Sequence, residues 1–255
     1  MHFNRHPSCT TRTAKSPWAI WVFASHMLVA VALWLLSQPV FAASSADAHK
    51  ASASTANTSL STHATSDPAA TRVLIVGDSI SAEYGIKRGS GWVALLSQRL
   101  AKQRIAASVI NASISGDTTA GGRARLASLL KRHKPGLVVI ELGANDALRG
   151  LPLNTTQANL TAMVNMSQAS GAKVLLLGMQ VPPNYGQRYT DEFAKVFTDT
   201  STNMGVPLVP FFLSDVADAP DAPRLFQSDR IHPNELAQPI MLDNMWPAFI
   251  RELAR

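Results

Sequence analysis

From Arg72 onward, short unbroken runs of Val, Ile and Leu alternate with longer stretches in which apolar residues recur at helical spacing. The runs are "RVLIVG", "ASVINAS", "GLVVIELG", "KVLLLGM" and "VPLVPFF". Between them lie "GWVALLSQRLAKQ", "GGRARLASLLKRHK", "NTTQANLTAMVNMSQASG" and "YTDEFAKVFTDTSTNMG", and a last helix is expected after Pro233. Strands without in/out alternation are buried on both faces, which predicts a parallel sheet covered by helices on each side. Right-handed crossovers make this a three-layer α/β/α domain around a five-stranded sheet. Ligands in such sheets bind beyond the carboxyl ends of the strands. The places to look are therefore Gly77 to Ser79, Asn111 to Asp117, Gly143 to Asp146, Met179 to Tyr185 and the segment after Phe212.

The pattern upstream is different. Residues 1–42 have a basic start without carboxylates, an apolar run from Trp18 to Leu36, and small residues at Val40, Ala42 and Ala43. They read as an export signal cleaved after Ala42, which places the mature chain in the periplasm or outside the cell. The run also has the length of a membrane span, about 17–25 residues, so an uncleaved N-terminal membrane anchor is the alternative. Residues 43–70 are Ala, Ser and Thr with almost no large apolar side chains and read as a disordered linker. The folded domain is residues 71–255, expected to be a monomer.

Charge and cysteine content narrow the function. Arg5, Arg12 and Lys15 carry half of the formal charge of +6, and the remainder is too scattered to argue for nucleic acid. Cys9, the only cysteine, precedes the apolar run, so a cleaved chain has neither disulfides nor thiol chemistry. A metal hydrolase lacks ligands, with no H-E-x-x-H and one histidine suited to a cleft, and no cofactor is expected. No Walker-type loop or G-x-G-x-x-G follows the first strand, which argues against nucleotide binding.

Serine chemistry needs a nucleophile, a base, an orienting acceptor and donors for the oxyanion. Ser79, in "GDSIS", is either such a nucleophile or a turn or cap residue. Of the histidines beyond the linker, His133 lies at a helix C-terminus, where the dipole favours a cation. His232, in "SDRIHPNELAQP", is held out of helical geometry by Pro233, itself suited to open the last helix. Asp229 is three residues earlier, close enough for a turn to bring its carboxylate to the ring. Gly116 and Asn145 are candidate oxyanion donors or simple turn formers, and Asp78 and Asp146 read as acceptors bracing their loops. In "GMQVPPNYGQRY", Met179, Val181, Pro182, Pro183 and Tyr185 are suited to line the acyl side of a cleft or to pack the loop.

"GDSIS", Gly116, "GAND" and "DRIH", in this order, resemble the four blocks of the SGNH hydrolases, the GDSL esterase and lipase superfamily. "NASISGDTT", "LVVIELGANDALRG", "VPPNYGQRY" and "VPLVPFF" are similar to its thioesterase I/protease I/lysophospholipase branch of periplasmic arylesterases and thioesterases. The resemblance implies a flavodoxin-like strand order of 2-1-3-4-5. It also implies Ser79 as nucleophile, His232 as general base and acid, and Asp229 as its orienter, with the Ser79 amide, the Gly116 amide and the Asn145 side chain as the oxyanion hole. Two positions depart from the family pattern, Glu83 and Ala144, where glycine is expected. The Glu83 carboxylate would either stand at the cleft rim, where it disfavours anionic acyl carriers, or face solvent.

The reading is a serine esterase acting on aryl and acyl esters, with thioesters and lysophospholipids as further small-molecule substrates. A carbohydrate O-acetylesterase is the alternative enzyme, although few Trp and Tyr follow the leader to build sugar subsites. A non-catalytic binding module on the same fold is the alternative class, and the joint presence of Ser79, Asp229 and His232 argues against it.

Overall fold

The computed structural model describes residues 70–255; the expected export signal, its membrane-anchor alternative and nearly all of the linker lie outside the described residues. Five parallel strands, β1 (Thr71–Gly77), β2 (Ala107–Asn111), β3 (Leu137–Glu141), β4 (Lys173–Leu177) and β5 (Leu208–Val209), form one sheet in the order β2-β1-β3-β4-β5. The helices are α1 (Trp92–Lys102), α2 (Thr119–His133), α3 (Ala144–Leu148), α4 (Leu153–Ala169), α5 (Gln187–Met204) and α6 (Gln238–Ala254). Helices α1 and α6 pack together over one face, and α2, α4 and α5 pack in sequence over the other.

The unbroken apolar runs are explained by this placement. Val73 pairs with Val109 on one side and Leu137 on the other, and Val73–Val76 of β1 are fully buried between the helix layers. The edge strand β2 is only half-buried. Trp92, Leu96 and Leu100 turn one stripe of α1 inward, and the Trp92 ring meets Phe212 edge-on, centroids 5.2 Å apart.

Two elements differ from the pattern-based expectation. Strand β5 is two residues long because Pro210, which has no N–H to donate, follows it directly. Phe212, beyond that break, is still fully buried, so the end of the run "VPLVPFF" packs into the core without pairing as strand. The last helix begins at Gln238, not at Pro233. Pro233 instead bridges Phe226 in antiparallel fashion, and Asn234 donates to the carbonyls of Arg224 and Phe226, so this segment is a braced loop. Connections at the amino ends of the strands are short, and the longer loops gather at the carboxyl ends.

Candidate active site

The first loop is built on a buried acid. Glu141, the last residue of β3, is fully buried, and its Oε2 accepts from Ser81 Oγ at 2.7 Å and from the Asp78 amide at 3.3 Å. Ser81 Oγ in turn accepts from the Trp92 indole at 3.2 Å. The turn after β1 is thus tied to the neighbouring strand and to α1. Gly77 is required here, since a Cβ would lie 2.7 Å from Ser81 Oγ and 2.8 Å from Glu141 Oε2. Burial first, then the Asp78 carboxylate, push the Glu141 acid well above the ordinary range. Burial also raises Asp78 to about 6, against the lowering effect of hydrogen bonds from the Ile80 amide and Asn145.

On this turn sits Ser79, 9 % exposed, with its Oγ 2.9 Å from His232 Nε2. His232 Nδ1 lies 2.7 Å from Asp229 Oδ2. The three-residue spacing works because Asp229 Oδ1 accepts the amides of Ile231 and His232 at 2.9 and 3.0 Å, leaving Oδ2 for the ring. Arg230 between them adopts a left-handed backbone, φ 57°. Partial desolvation would raise the Asp229 carboxyl, but those amides and the ring outweigh it and hold the group at about 2.

Gln227 joins the two halves. Its amide donates to the His232 carbonyl, and its side chain donates to the carbonyls of Tyr84 at 2.8 Å and Pro233 at 3.2 Å. Gly85, φ 72°, lets the chain pass this side chain, since a Cβ would lie 2.0 Å from Gln227 Oε1. The Tyr84 ring leans over His232 with centroids 4.5 Å apart.

The expected donors gather at the same end. Asn145, in the first turn of α3, donates to Asp78 Oδ2 at 3.1 Å, so the acid beside Ser79 orients the amide beside it. Gly116 has a positive φ of 79°, and Arg149 donates to its carbonyl at 2.8 Å. The Ser79 and Gly116 amides have no hydrogen-bond acceptor among the described residues. Asp146 turns away into the core and accepts from the amide and hydroxyl of Thr119, bracing the start of α2.

The acyl-side loop divides. Met179 and Val181 point inward and join the core at 2 % and 5 % exposure, whereas Pro182 and Tyr185 are exposed. Pro183 begins a 3₁₀ turn with Tyr185, whose ring stacks on Tyr189. Glu83 takes neither orientation left open by the sequence: its carboxylate folds back on its own loop and accepts the amides of Gly89 and Gly91. Its backbone has φ 59°, the left-handed geometry that favours glycine. A cavity of about 550 Å³ lies to the side, between α1, β2 and the 82–88 loop, and its lining includes none of Ser79, Asn145 or His232.

Glu141, Gln227 and Arg149 were not singled out by the sequence reading. Glu141 had a visible signal, a lone acid inside an otherwise apolar strand, which is costly unless hydrogen-bonded. The other two act through backbone carbonyls that only folding brings within reach.

Comparison with known proteins gives a concordant picture. A family model described as "GDSL-like Lipase/Acylhydrolase family" matches residues 75–238. The chain is 51% identical over 183 residues to "Esterase TesA" of Pseudomonas aeruginosa, covering 72% of this chain and 90% of that protein. It is 42% identical over 177 residues to "Thioesterase 1/protease 1/lysophospholipase L1" of Escherichia coli, covering 69% and 82%. Among solved structures it resembles the psychrotrophic esterase EstA from Pseudoalteromonas sp., inhibited by monoethylphosphonate, with TM-score 0.68 and 42% identity, covering 72% of this chain and 100% of that one.

Proposed function

Because the chain belongs to the GDSL-like lipase/acylhydrolase family and is a serine esterase, we propose that Ser79, His232 and Asp229 carry out its hydrolysis of carboxylic esters. The observation that carries the assignment is the continuous relay from Ser79 Oγ to His232 Nε2 at 2.9 Å and from His232 Nδ1 to Asp229 at 2.7 Å. Ser79 Oγ attacks the ester carbonyl carbon as Nε2 takes its proton. Asp229 holds the Nδ1–H tautomer and stabilises the imidazolium that forms. The carbonyl oxygen becomes an oxyanion received by the Ser79 amide, the Gly116 amide and the Asn145 side chain. Collapse breaks the bond to the leaving oxygen or sulfur, which receives the proton from Nε2. Water, deprotonated by the same nitrogen, then attacks the acyl carbon, and as the bond to Ser79 Oγ breaks Nε2 returns the proton to Oγ and the acid leaves.

Aryl esters, acyl thioesters and lysophospholipids are the substrates proposed, in keeping with the names of the relatives. Pro182 and Tyr185 form the exposed acyl side of the cleft, with Met179, Val181 and Pro183 as the loop behind them. Residues 1–42 direct export with cleavage after Ala42, and the mature esterase is a periplasmic monomer. N-terminal sequencing of the exported chain checks the cleavage point. Among the described residues no helix is long and apolar enough to cross a membrane.

The test is hydrolysis of p-nitrophenyl esters from acetate to palmitate by the protein and by its Ser79→Ala variant. The variant is expected to lose at least about 10³-fold in kcat while unfolding at the same temperature as the parent. Full activity in the variant would overturn the assignment.

A further inference from the structure

Charge is unevenly placed on this domain. The loops at the carboxyl ends of the strands carry more carboxylates than cations, whereas the opposite end is basic. Cations scattered along the sequence meet there: Lys102 and Arg104 after α1, Arg72 at the start of β1, and Lys131, Arg132 and Lys134 at the end of α2, all exposed. Hydrogen bonds hold these three segments side by side. The Thr71 amide donates to the Ala106 carbonyl at 3.0 Å, the Gly136 amide to the Arg72 carbonyl at 2.9 Å, and Arg72 Nε to the Lys134 carbonyl at 3.2 Å. Residues 71–74, 102–107 and 131–137 contain no Asp or Glu, and the six cations form no salt bridge among the described residues. On α6, Glu252 is buried and paired with Arg255, and Asp243 is paired with Arg99.

Helix ends alone do not account for this stripe. The helix dipole favours cations at any C-terminus, yet α4 and α5, which end on the same side of the sheet, have no basic residue in their last turns. Arg104 and Lys134 also occupy left-handed backbone positions, φ 55° and 43°, where glycine is favoured. The corresponding positions after α4 and α5 are Gly171 and Gly205, φ 84° and 63°. Cations therefore stand at strained positions only where the stripe runs.

The chain also enters the domain through this stripe. Thr71 opens β1 beside Ala106, and upstream of it the sequence carries the apolar run Trp18–Leu36. In the export reading that run brings the chain to a membrane, and the stripe is the first part of the folded domain to follow it. Lys and Arg side chains within a Debye length of anionic headgroups are attracted to them.

We propose that Arg72, Lys102, Arg104, Lys131, Arg132 and Lys134 form a docking surface for a phospholipid bilayer with anionic headgroups, which leaves the Ser79 cleft facing away from the bilayer. The proposal rests on the export reading of residues 1–42 and is independent of the esterase reading. The carboxylates in excess around the cleft are repelled by the same headgroups, which favours this orientation over its reverse. Esters then reach Ser79 from the aqueous side.

The test places one environment-sensitive fluorophore at each end of the domain in the full chain. In a Cys9→Ser, Ser79→Ala background, which has no other cysteine and does not turn over lipid, Gln103→Cys in the stripe and Leu236→Cys in the loop after β5 are labelled separately. Each labelled chain is mixed with phosphatidylcholine vesicles containing about a third phosphatidylglycerol. A blue shift at 103 and none at 236 is expected, with the shift lost at high salt or without phosphatidylglycerol. Lys102→Gln, Lys131→Gln and Arg132→Gln together should remove most of the shift. The same three substitutions in the parent chain should leave p-nitrophenyl acetate hydrolysis unchanged, which shows that the fold is kept. No shift at either position, equal shifts at both, or a shift at 103 indifferent to charge, as attachment by residues 1–69 alone would give, would overturn the proposal. A response at 103 to a DNA duplex and none to vesicles would assign the stripe to nucleic acid and overturn it as well. N-terminal sequencing reads export separately: a chain that is not exported counts against the export reading, and an exported chain without a shift at 103 counts against the docking surface alone.

Discussion

The two halves of the relay are supported in opposite ways. Asp229 and His232 are held by their own loop: a carboxylate caps two amides within three residues, and the group stays exposed with its pKa lowered to about 2. Ser79 is held from a distance. The turn that carries it hangs on Glu141, which is 60 residues away from its partner Ser81 and fully buried with its pKa raised. A local support lets the proposed base and its orienter be set by a short sequence motif. A remote one makes the position of the proposed nucleophile, Ser79, depend on the packing of β1, β3 and α1. The two regions should therefore respond differently to damage, the first through catalysis and the second through stability.

The most severe way to probe this contrast is Asp229→Ala. It removes the acceptor that fixes the ring, so kcat is expected to fall about 10²–10⁴-fold, while the loss of stability stays below that of a buried anchor because the side chain is partly exposed and its hydrogen bonds lie within one loop. A large loss of stability would show that this loop is not locally supported. Glu141→Ala should do the reverse. Two hydrogen bonds and a packed side chain are lost, costing about 2–4 kcal/mol of stability. Glu141→Gln, which keeps a neutral acceptor for Ser81, should restore most of it. Equal stability of parent and Ala variants in urea would contradict the remote support.

Acid titration sharpens the contrast, because the two carboxyls act with opposite sign. Asp78, raised from 3.8 to about 6, keeps its proton in the folded chain after the unfolded chain has lost it. Stability therefore falls as pH rises through that window, by about 2–3 kcal/mol from this group. In Asp78→Asn that contribution is absent, so the difference in unfolding free energy between variant and parent should change from pH 4 to pH 6 in the variant's favour. A constant difference would mean that Asp78 does not titrate there. Asp229, lowered to about 2, contributes stability above the ordinary carboxylate range that is lost as pH falls toward that value.

The smallest effect expected is at Arg149, whose side chain touches the proposed oxyanion region through the Gly116 carbonyl. Arg149→Ala should lower kcat about tenfold, less than the loss of a direct oxyanion donor. KM for p-nitrophenyl acetate should be unchanged, and a change in KM alone would mean that Arg149 binds substrate and does not position Gly116.

Much of this organisation is legible in the chain. Continuous Val, Ile and Leu runs specify strands buried on both faces, and β1, β3 and β4 appear where the runs stand. The ends of those runs also locate Ser79, Asn145 and the Gly116 loop. The boundaries that fail are those set by proline and side-chain capping: β5 stops at Pro210, and α6 waits until Pro233 and Asn234 have closed a braced loop. Glu83 was ambiguous for a related reason. Its left-handed backbone and its two amide donors, Gly89 and Gly91, follow from a loop geometry that no local pattern encodes.

By itself, then, the sequence determined the layers of the domain, the set of residue types needed for serine chemistry, and the local turn by which Asp229 meets His232. Periodicity and short-range hydrogen bonding act over a few residues, and both are written in the order of the chain. The tertiary structure decided what lies beneath and around Ser79: the Glu141 anchor, the Gln227 brace between Tyr84 and Pro233, and the inward packing of Met179 and Val181. These depend on which strand ends become neighbours in the order β2-β1-β3-β4-β5. Buried polar atoms must find partners wherever folding places them, and those partners are chosen by proximity in space.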